Sequence, residues 1–296
     1  MIQGQNHAPD KDLGSQLLDQ DTALKEGHMG LTVRALHVGD IIMDWTFCLF
    51  NFNPGRKTCI PINAFLIKGA ETPILVDTGV RDVSIFPPTM RGWQLPEQDI
   101  TKLLREEGLN PDDVGYVVLT HLDIDHTGKV PLFTNAKIII QRKEMAFQAS
   151  YWSKLGHSPD LPWFVSNLNR VEFIDGDVEL FEGVRCILAP AHTGGHQHVE
   201  VHTESGKALM VGDNVYDIPM QLEERAGAGI SWQSGNCAYQ ALLQDQLTKL
   251  KRELKKGSMI LPTHTYDPYD RYNLGKKQSD KRSDYEGFPS LDWPPR

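Results

Sequence analysis

Four side chains that can ligate a metal, His121, Asp123, Asp125 and His126, fall within six residues of the run Thr-His-Leu-Asp-Ile-Asp-His-Thr-Gly at 120–128. Imidazole nitrogen and carboxylate oxygen are the donors that suit zinc, iron or manganese. A strand end carrying His121 and a turn returning Asp125 and His126 can serve two cations a few ångströms apart. One cluster cannot complete two coordination spheres, so further ligands belong at other strand ends. His196 stands in PAHTGGH (190–196) just before an apolar strand, Asp213 ends ALMVGD, and His264 ends MILPTH. His192, earlier in the same turn as His196, reads as loop structure or support rather than a ligand. The chain has no G-x-S-x-G and no G-x-x-x-x-G-K-[ST]. Divalent cations on such donors bring the pKa of bound water near neutrality.

The elements that position these residues are mostly strands. VRALHV (33–38), NAFLIKG (63–69), PILVDTG (73–79), YVVLTH (116–121), KIIIQ (137–141), VEFI (171–174), VRCILAP (184–190), QHVEVHT (197–203), KALMVGD (207–213) and SMILPTH (258–264) are short apolar runs broken by turns. Ile100, Leu103, Leu104 and Leu109 recur at roughly helical spacing, with Gly108 where a C-cap would fall, and Leu242, Leu243, Leu247, Leu250 and Leu254 predict an amphipathic helix ended by Gly257. Many strands with few helices predict packed sheets covered by helices. His198 and His202 alternate with valines on one strand and are expected to face solvent. His37 has no partner that the sequence names.

Composition excludes more than it identifies. Thirty Lys and Arg against 39 Asp and Glu leave a net charge of −9, which argues against a nucleic-acid or anionic-membrane partner. No run reaches 18 apolar residues, and the first 20 residues hold no apolar leader core. Four cysteines without a CxxC pair read as reduced thiols of a cytoplasmic protein. Residues 1–29 form a polar arm with one short helix expected around Ser15–Lys25, residues 30–275 the folded domain, and 276–296 a polar tail. The arm and the tail are the segments through which a homodimer would form. The segment 43–61, with Trp45, Phe47, Phe50 and Phe52, either borders a cleft or packs in the core. Segments 146–170 and 217–236 are candidate rims.

These motifs resemble the metallo-β-lactamase superfamily, whose pattern is H-x-H-x-D-H followed by distant His, Asp and His, and within it the N-acyl homoserine lactonases. The resemblance runs from Leu31 to Asp270 and includes the DTG turn with Asp77, FTNAKIIIQRKE (133–144), HTGGHQ and GDNVY (212–216). It implies an α/β fold: an αβ/βα sandwich of two mixed sheets, helices outside, metals at one edge. It also implies two divalent cations, zinc first, with iron or manganese as alternatives. One would sit on His121, Asp123 and His196, the other on Asp125, His126 and His264, with Asp213 bridging. Asp123 departs from the pattern, which has His there; as an oxygen ligand it adds charge and shifts the preference towards iron or manganese, or weakens that half. Asp77 is implied as a support beneath the loop, Tyr216 as a donor to the substrate carbonyl, and Asp125 as the proton carrier. The implied activity is opening of a small-molecule lactone or related cyclic ester. The alternatives are hydrolysis of another ester, an amide or an organophosphate, or a metal-bearing binding protein with little turnover.

Overall fold

The computed structural model describes residues 30–152, 160–223 and 232–279. Two mixed sheets face each other. The first runs in the order β4-β1-β2-β3-β5-β6-β7. Its strands are β1 (Thr32–Asp44), β2 (Lys57–Lys68), β3 (Ile74–Val76), β4 (Arg91–Trp93), β5 (Tyr116–Val118), β6 (Lys137–Gln141) and β7 (Val171–Ile174). The second runs in the order β12-β11-β10-β9-β8. It comprises β8 (Val178–Phe181), β9 (Val184–Leu188), β10 (Gln197–Thr203), β11 (Gly206–Gly212) and β12 (Met259–Pro262). The β3–β5–β6–β7 pairs and β11–β12 are parallel, the others antiparallel. This is the expected sandwich. Strands β4 and β8 were not among the expected runs, and β1 and β2 are longer than their apolar cores suggested.

Alternation along each strand builds the layers. Val33, Phe65, Ile67, Val118, Ile139, Val199, Ala208, Met210 and Leu261 fill the space between the sheets. The opposite face of the first sheet, through Ile62, Ala64, Leu66, Leu75, Val117 and Ile138, packs on helix α1 (Ile100–Glu106) by Ile100, Leu103 and Leu104. The outer face of the second, through Leu209, Val211 and Ile260, packs on the longest described helix (Gln240–Lys255) by Leu243, Leu247 and Leu250. Burying each of these leucines contributes about 1.5–3 kcal/mol. Leu242, expected on that face, is 40% exposed; at 100° per residue it lies well outside the arc shared by Leu243, Leu247 and Leu250. Gly108 and Gly257 take positive φ just beyond their helices, as a C-terminal stop requires.

At one edge the sheets are stitched together. The Gln197 amide donates to Leu119 O at 2.7 Å and the Gln197 backbone N–H to Thr120 O at 2.9 Å. The segments after β3, β5, β11 and β12 emerge there, so the expected ligands meet. Between β6 and β7 lie α2 (Arg142–Phe147) and a further helix, Leu161–Ser166. Residues 153–159 of the expected rim, 224–231 of the other, the N-terminal arm and the tail beyond 279 lie outside the described residues. None of the four cysteines forms a disulfide. Among the described residues no helix is long and apolar enough to cross a membrane.

Candidate metal centre

Asp77, immediately after β3, sits in the left-handed region at φ 58°, which Asp tolerates better than most residues. Its carboxylate reaches three donors: Oδ1 accepts the Thr120 N–H at 2.8 Å, and Oδ2 accepts the Thr120 hydroxyl and the His126 Nδ1–H, each at 2.8 Å. The Thr120 proton is thereby spent, so His121 Nδ1 donates to Thr120 Oγ1 at 3.0 Å. His192 Nδ1 donates to Asn236 O at 2.7 Å and His264 Nδ1 to Pro61 O at 2.8 Å. In all four imidazoles Nδ1 holds the proton of the neutral ring, and Nε2 is left with a lone pair.

Those four nitrogens converge on carboxylates. Three groups each have ligand atoms within 4.8 Å of one another: His121, Asp123 and His192; Asp125, His126 and His264; and His121, His126 and Asp213. His192 Nε2 lies 3.2 Å from Asp123 Oδ2, His264 Nε2 3.3 Å from Asp125 Oδ2, and His126 Nε2 3.2 Å from Asp213 Oδ1. Asp213 faces both halves, for its Oδ2 lies 3.3 Å from His264 Nε2 and 3.8 Å from His192 Nε2. His121 Nε2, His126 Nε2 and Asp213 Oδ1 are buried without a hydrogen-bond partner. Lone pairs aimed at carboxylate oxygens, with orphaned atoms in the middle, repel unless a cation lies between them, so this donor set fits divalent metal.

The electrostatics agree. Burial alone would push His264 and His192 down, but the facing aspartates outweigh it and hold them up at about 10 and about 9. Burial likewise would raise Asp123 and Asp213, and the surrounding imidazoles instead hold both well below the usual carboxylate range. Without cations the pairs hold protons; a cation displaces them, so metal uptake is coupled to proton release.

The structure brings together His121, Asp123, Asp125, His126, Asp213 and His264, and it corrects the choice between the two histidines of the turn. His192 stands where His196 was expected. The His196 Nε2 lone pair accepts the Asp213 backbone N–H at 3.2 Å and is not directed at the cluster. Gly212 makes that approach possible, since a Cβ there would fall 2.4 Å from His196 Nε2. His198 is also corrected: it is buried and accepts the Asn214 amide at 2.9 Å, while His202 is half-buried beside Glu200. His37 is fully buried between Asp40 and Gln98.

Glu144 was missed. This buried carboxylate of α2 accepts Leu122 N–H at 3.1 Å, Gln148 Nε2 at 3.0 Å, Thr193 Oγ1 at 2.6 Å and Gly195 N–H at 3.0 Å, and so clamps the 121–126 loop to the 192–196 turn. A Cβ on Gly195 would lie 2.0 Å from Glu144 N, so only glycine lets the turn come this close. No spacing rule points to a ligand-supporting Glu on a separate helix.

A cleft of about 180 Å³ opens onto the centre. Asp123, Asp125, Asp213, Tyr216, Asn236 and His264 line its floor, and Ile41, Met43, Ile85, Phe86, Pro87, Met90 and Ile124 its apolar wall. Tyr216 Oη donates to Asp213 Oδ2 at 2.6 Å, and its ring stacks on His264 at 5.5 Å and 5°. Burial first, then the Asp213 charge, raise its phenol well above the ordinary value, so it remains a donor. Of the segment 43–61 only Met43 borders this cleft. Trp45, Phe47 and Phe52 pack against the core, Phe52 edge-on to Trp45 at 5.5 Å and to Trp232 at 5.2 Å, and Phe50 is exposed.

The metallo-beta-lactamase superfamily model matches residues 58–264. An N-acyl homoserine lactonase of Bacillus thuringiensis is 33% identical over 245 residues, 78% of this chain and 92% of that protein. The N-acyl homoserine lactonase AiiB of Agrobacterium fabrum is 29% identical over 216 residues, 64% and 78% of the two chains. The crystal structure of a quorum-quenching N-acyl homoserine lactone hydrolase superposes with a TM-score of 0.68 at 26% identity, covering 82% of this chain and 96% of that one. The matched span covers more than half of the chain and contains every residue of the three ligand groups: the chain belongs to the metallo-beta-lactamase superfamily.

Proposed function

We propose that this protein is a metal-dependent hydrolase that opens the ring of an N-acyl homoserine lactone or a closely related lactone. The observation that carries the proposal is the pairing of two ligand groups around Asp213 with a phenol donor and an apolar wall in one cleft. Likeness to the lactonases supports the substrate class. His121, Asp123 and His192 would hold one divalent cation and Asp125, His126 and His264 the other, with Asp213 shared. Such cations supply Lewis acidity and lower the pKa of water towards neutrality.

The chain's own residues do the rest. Tyr216 turns its Oη–H from Asp213 to the substrate carbonyl oxygen as negative charge develops there. Water oxygen bonds to the carbonyl carbon, the ring C–O bond breaks, and the water proton passes to the departing alkoxide. Asp125, which lines the cleft beside Asp213 and His264, is the carboxylate placed to carry that proton. Ile85, Phe86, Pro87 and Met90 offer an acyl chain a surface away from water.

A pH-indicator assay over a panel of lactones and esters, with elemental analysis of protein purified without added metal, tests this reading. Two metals per chain, with lactone opening lost in Asp213→Ala, is the expected outcome. Turnover of esters or amides but no lactone would overturn the substrate class. Absence of any metal-dependent turnover would overturn the hydrolase.

A further inference from the structure

We propose that Asp123, held in place by Gln148, gives the two halves of the centre the same donor set and biases the centre towards harder cations, Mn2+ or Fe2+, over Zn2+. The inference rests on the ligand assignment above but not on the substrate.

Each group of three contains two imidazoles and one carboxylate: His121, His192 and Asp123 in one, His126, His264 and Asp125 in the other. Asp213 adds a carboxylate oxygen towards each. Asp123 is what makes the halves alike. Its Oδ2 lies 3.2 Å from His192 Nε2 and 3.6 Å from His121 Nε2, and neither nitrogen carries the ring proton of the neutral imidazole. Carboxylate oxygen is the harder donor, and oxygen-rich sites favour Mn2+, whereas imidazole-rich ones favour Zn2+.

The rotamer of Asp123 is built rather than incidental. The Gln148 amide is fully buried and directs its Nε2 hydrogens to two carboxylates, Asp123 Oδ1 at 3.0 Å and Glu144 Oε1 at 3.0 Å. Binding Oδ1 turns Oδ2 towards the imidazoles. Glu144 is itself fixed by Thr193 and Gly195 of the turn that carries His192. One hydrogen-bonded chain therefore sets Asp123 and His192 relative to each other. Gln148 is a positioning residue: it acts on the cation through Asp123.

Competition titration of the metal-free full-length protein with Mn2+ and Zn2+ against a chelator tests this, read as two stepwise affinities, with electron paramagnetic resonance of the Mn2+-loaded form. Asp123→His is expected to raise the Zn2+/Mn2+ affinity ratio of one step on the order of tenfold and leave the other step unchanged. Gln148→Leu is expected to weaken one step for both metals, by about 10–100-fold, again sparing the other. An Asp123→His protein with an unchanged ratio at both steps would overturn the proposal, as would Gln148→Leu weakening both steps equally. If Asp123→His fails to fold, the wild type decides: a Mn2+ pair whose resonance shows two coupled ions in like surroundings supports the proposal, and one Mn2+ per chain at saturation overturns it. Lactone turnover is scored separately. A shifted ratio without turnover refutes the lactonase, and turnover with an unshifted ratio refutes the role of Asp123.

Discussion

Replacing Asp77 by Asn alters little but the chemistry of one oxygen, and the hydrogen bonds converging on that oxygen fix the outcome. The positive φ suits Asn as well as Asp, so the backbone is not at issue. The introduced amide keeps a single acceptor. If that oxygen stays on the Thr120 N–H, the NH2 faces both the Thr120 hydroxyl and the His126 Nδ1–H, where Oδ2 accepted at 2.8 Å from each. The hydroxyl can rotate; the imidazole N–H cannot. The His126 proton must then move to Nε2, and the lone pair aimed at Asp213 disappears. Losing one charge-assisted bond and weakening two others costs about 3 kcal/mol of stability, from about 1.5–3 kcal/mol for the former and somewhat less for the rest. The affinity of the Asp125–His126–His264 half should fall by about 10–100-fold, and the other half, whose His121 rests on the same Thr120 hydroxyl, should fall less. Zinc titration of the metal-free protein against a chelator, together with urea unfolding of the same form, measures both. Lowered stability with unchanged affinity at both steps would refute the argument that Asp77 sets the His126 tautomer.

Three further outcomes are expected. His192→Ala should lose one metal per chain in elemental analysis, while His196→Ala should retain both; the reverse result would return His196 to the ligand set. Tyr216→Phe should lower kcat on a lactone by about 100-fold with little change in KM, and an unchanged kcat would show that the phenol is not the oxyanion donor. His198 is pushed down to about 3, by burial and then by the Lys249 charge, so the folded imidazole stays neutral where the unfolded one takes a proton below about 6.5. The unfolded state then binds more protons, so stability falls as pH drops through that window; at pH 5 the loss is about 2 kcal/mol relative to pH 7.5. Urea unfolding across this range should show a shallower slope in His198→Gln, and an identical slope would remove His198 as the cause.

Much of the fold was legible because burial writes itself into sequence with a period. Runs such as YVVL and ALMV state that a strand is buried, and the sequence alone puts Asp213 and His264, at the ends of such runs, on one edge. The short strand β4 carries only Arg91, Gly92 and Trp93 and has no such pattern; its place beside β1 comes from pairing with Asp40–Ile42. His198 was misjudged because alternation distinguishes two faces of a strand but not which of them another element covers. The cleft wall at 85–90 comes from a loop without periodicity, so nothing local announced that it would face the centre.

The sequence by itself determined the donor types, their positions at strand ends and the departure at Asp123, since these depend on residue identity and on patterns a few residues long. Only the tertiary structure decided between His192 and His196. Both are histidines of one turn and offer the same atoms. Which lone pair is left for a cation depends on distant backbone, Asn236 O fixing the His192 tautomer and the Asp213 N–H occupying His196. Those partners are 44 and 17 residues away in the chain, and they are set beside the turn by packing that no local pattern encodes.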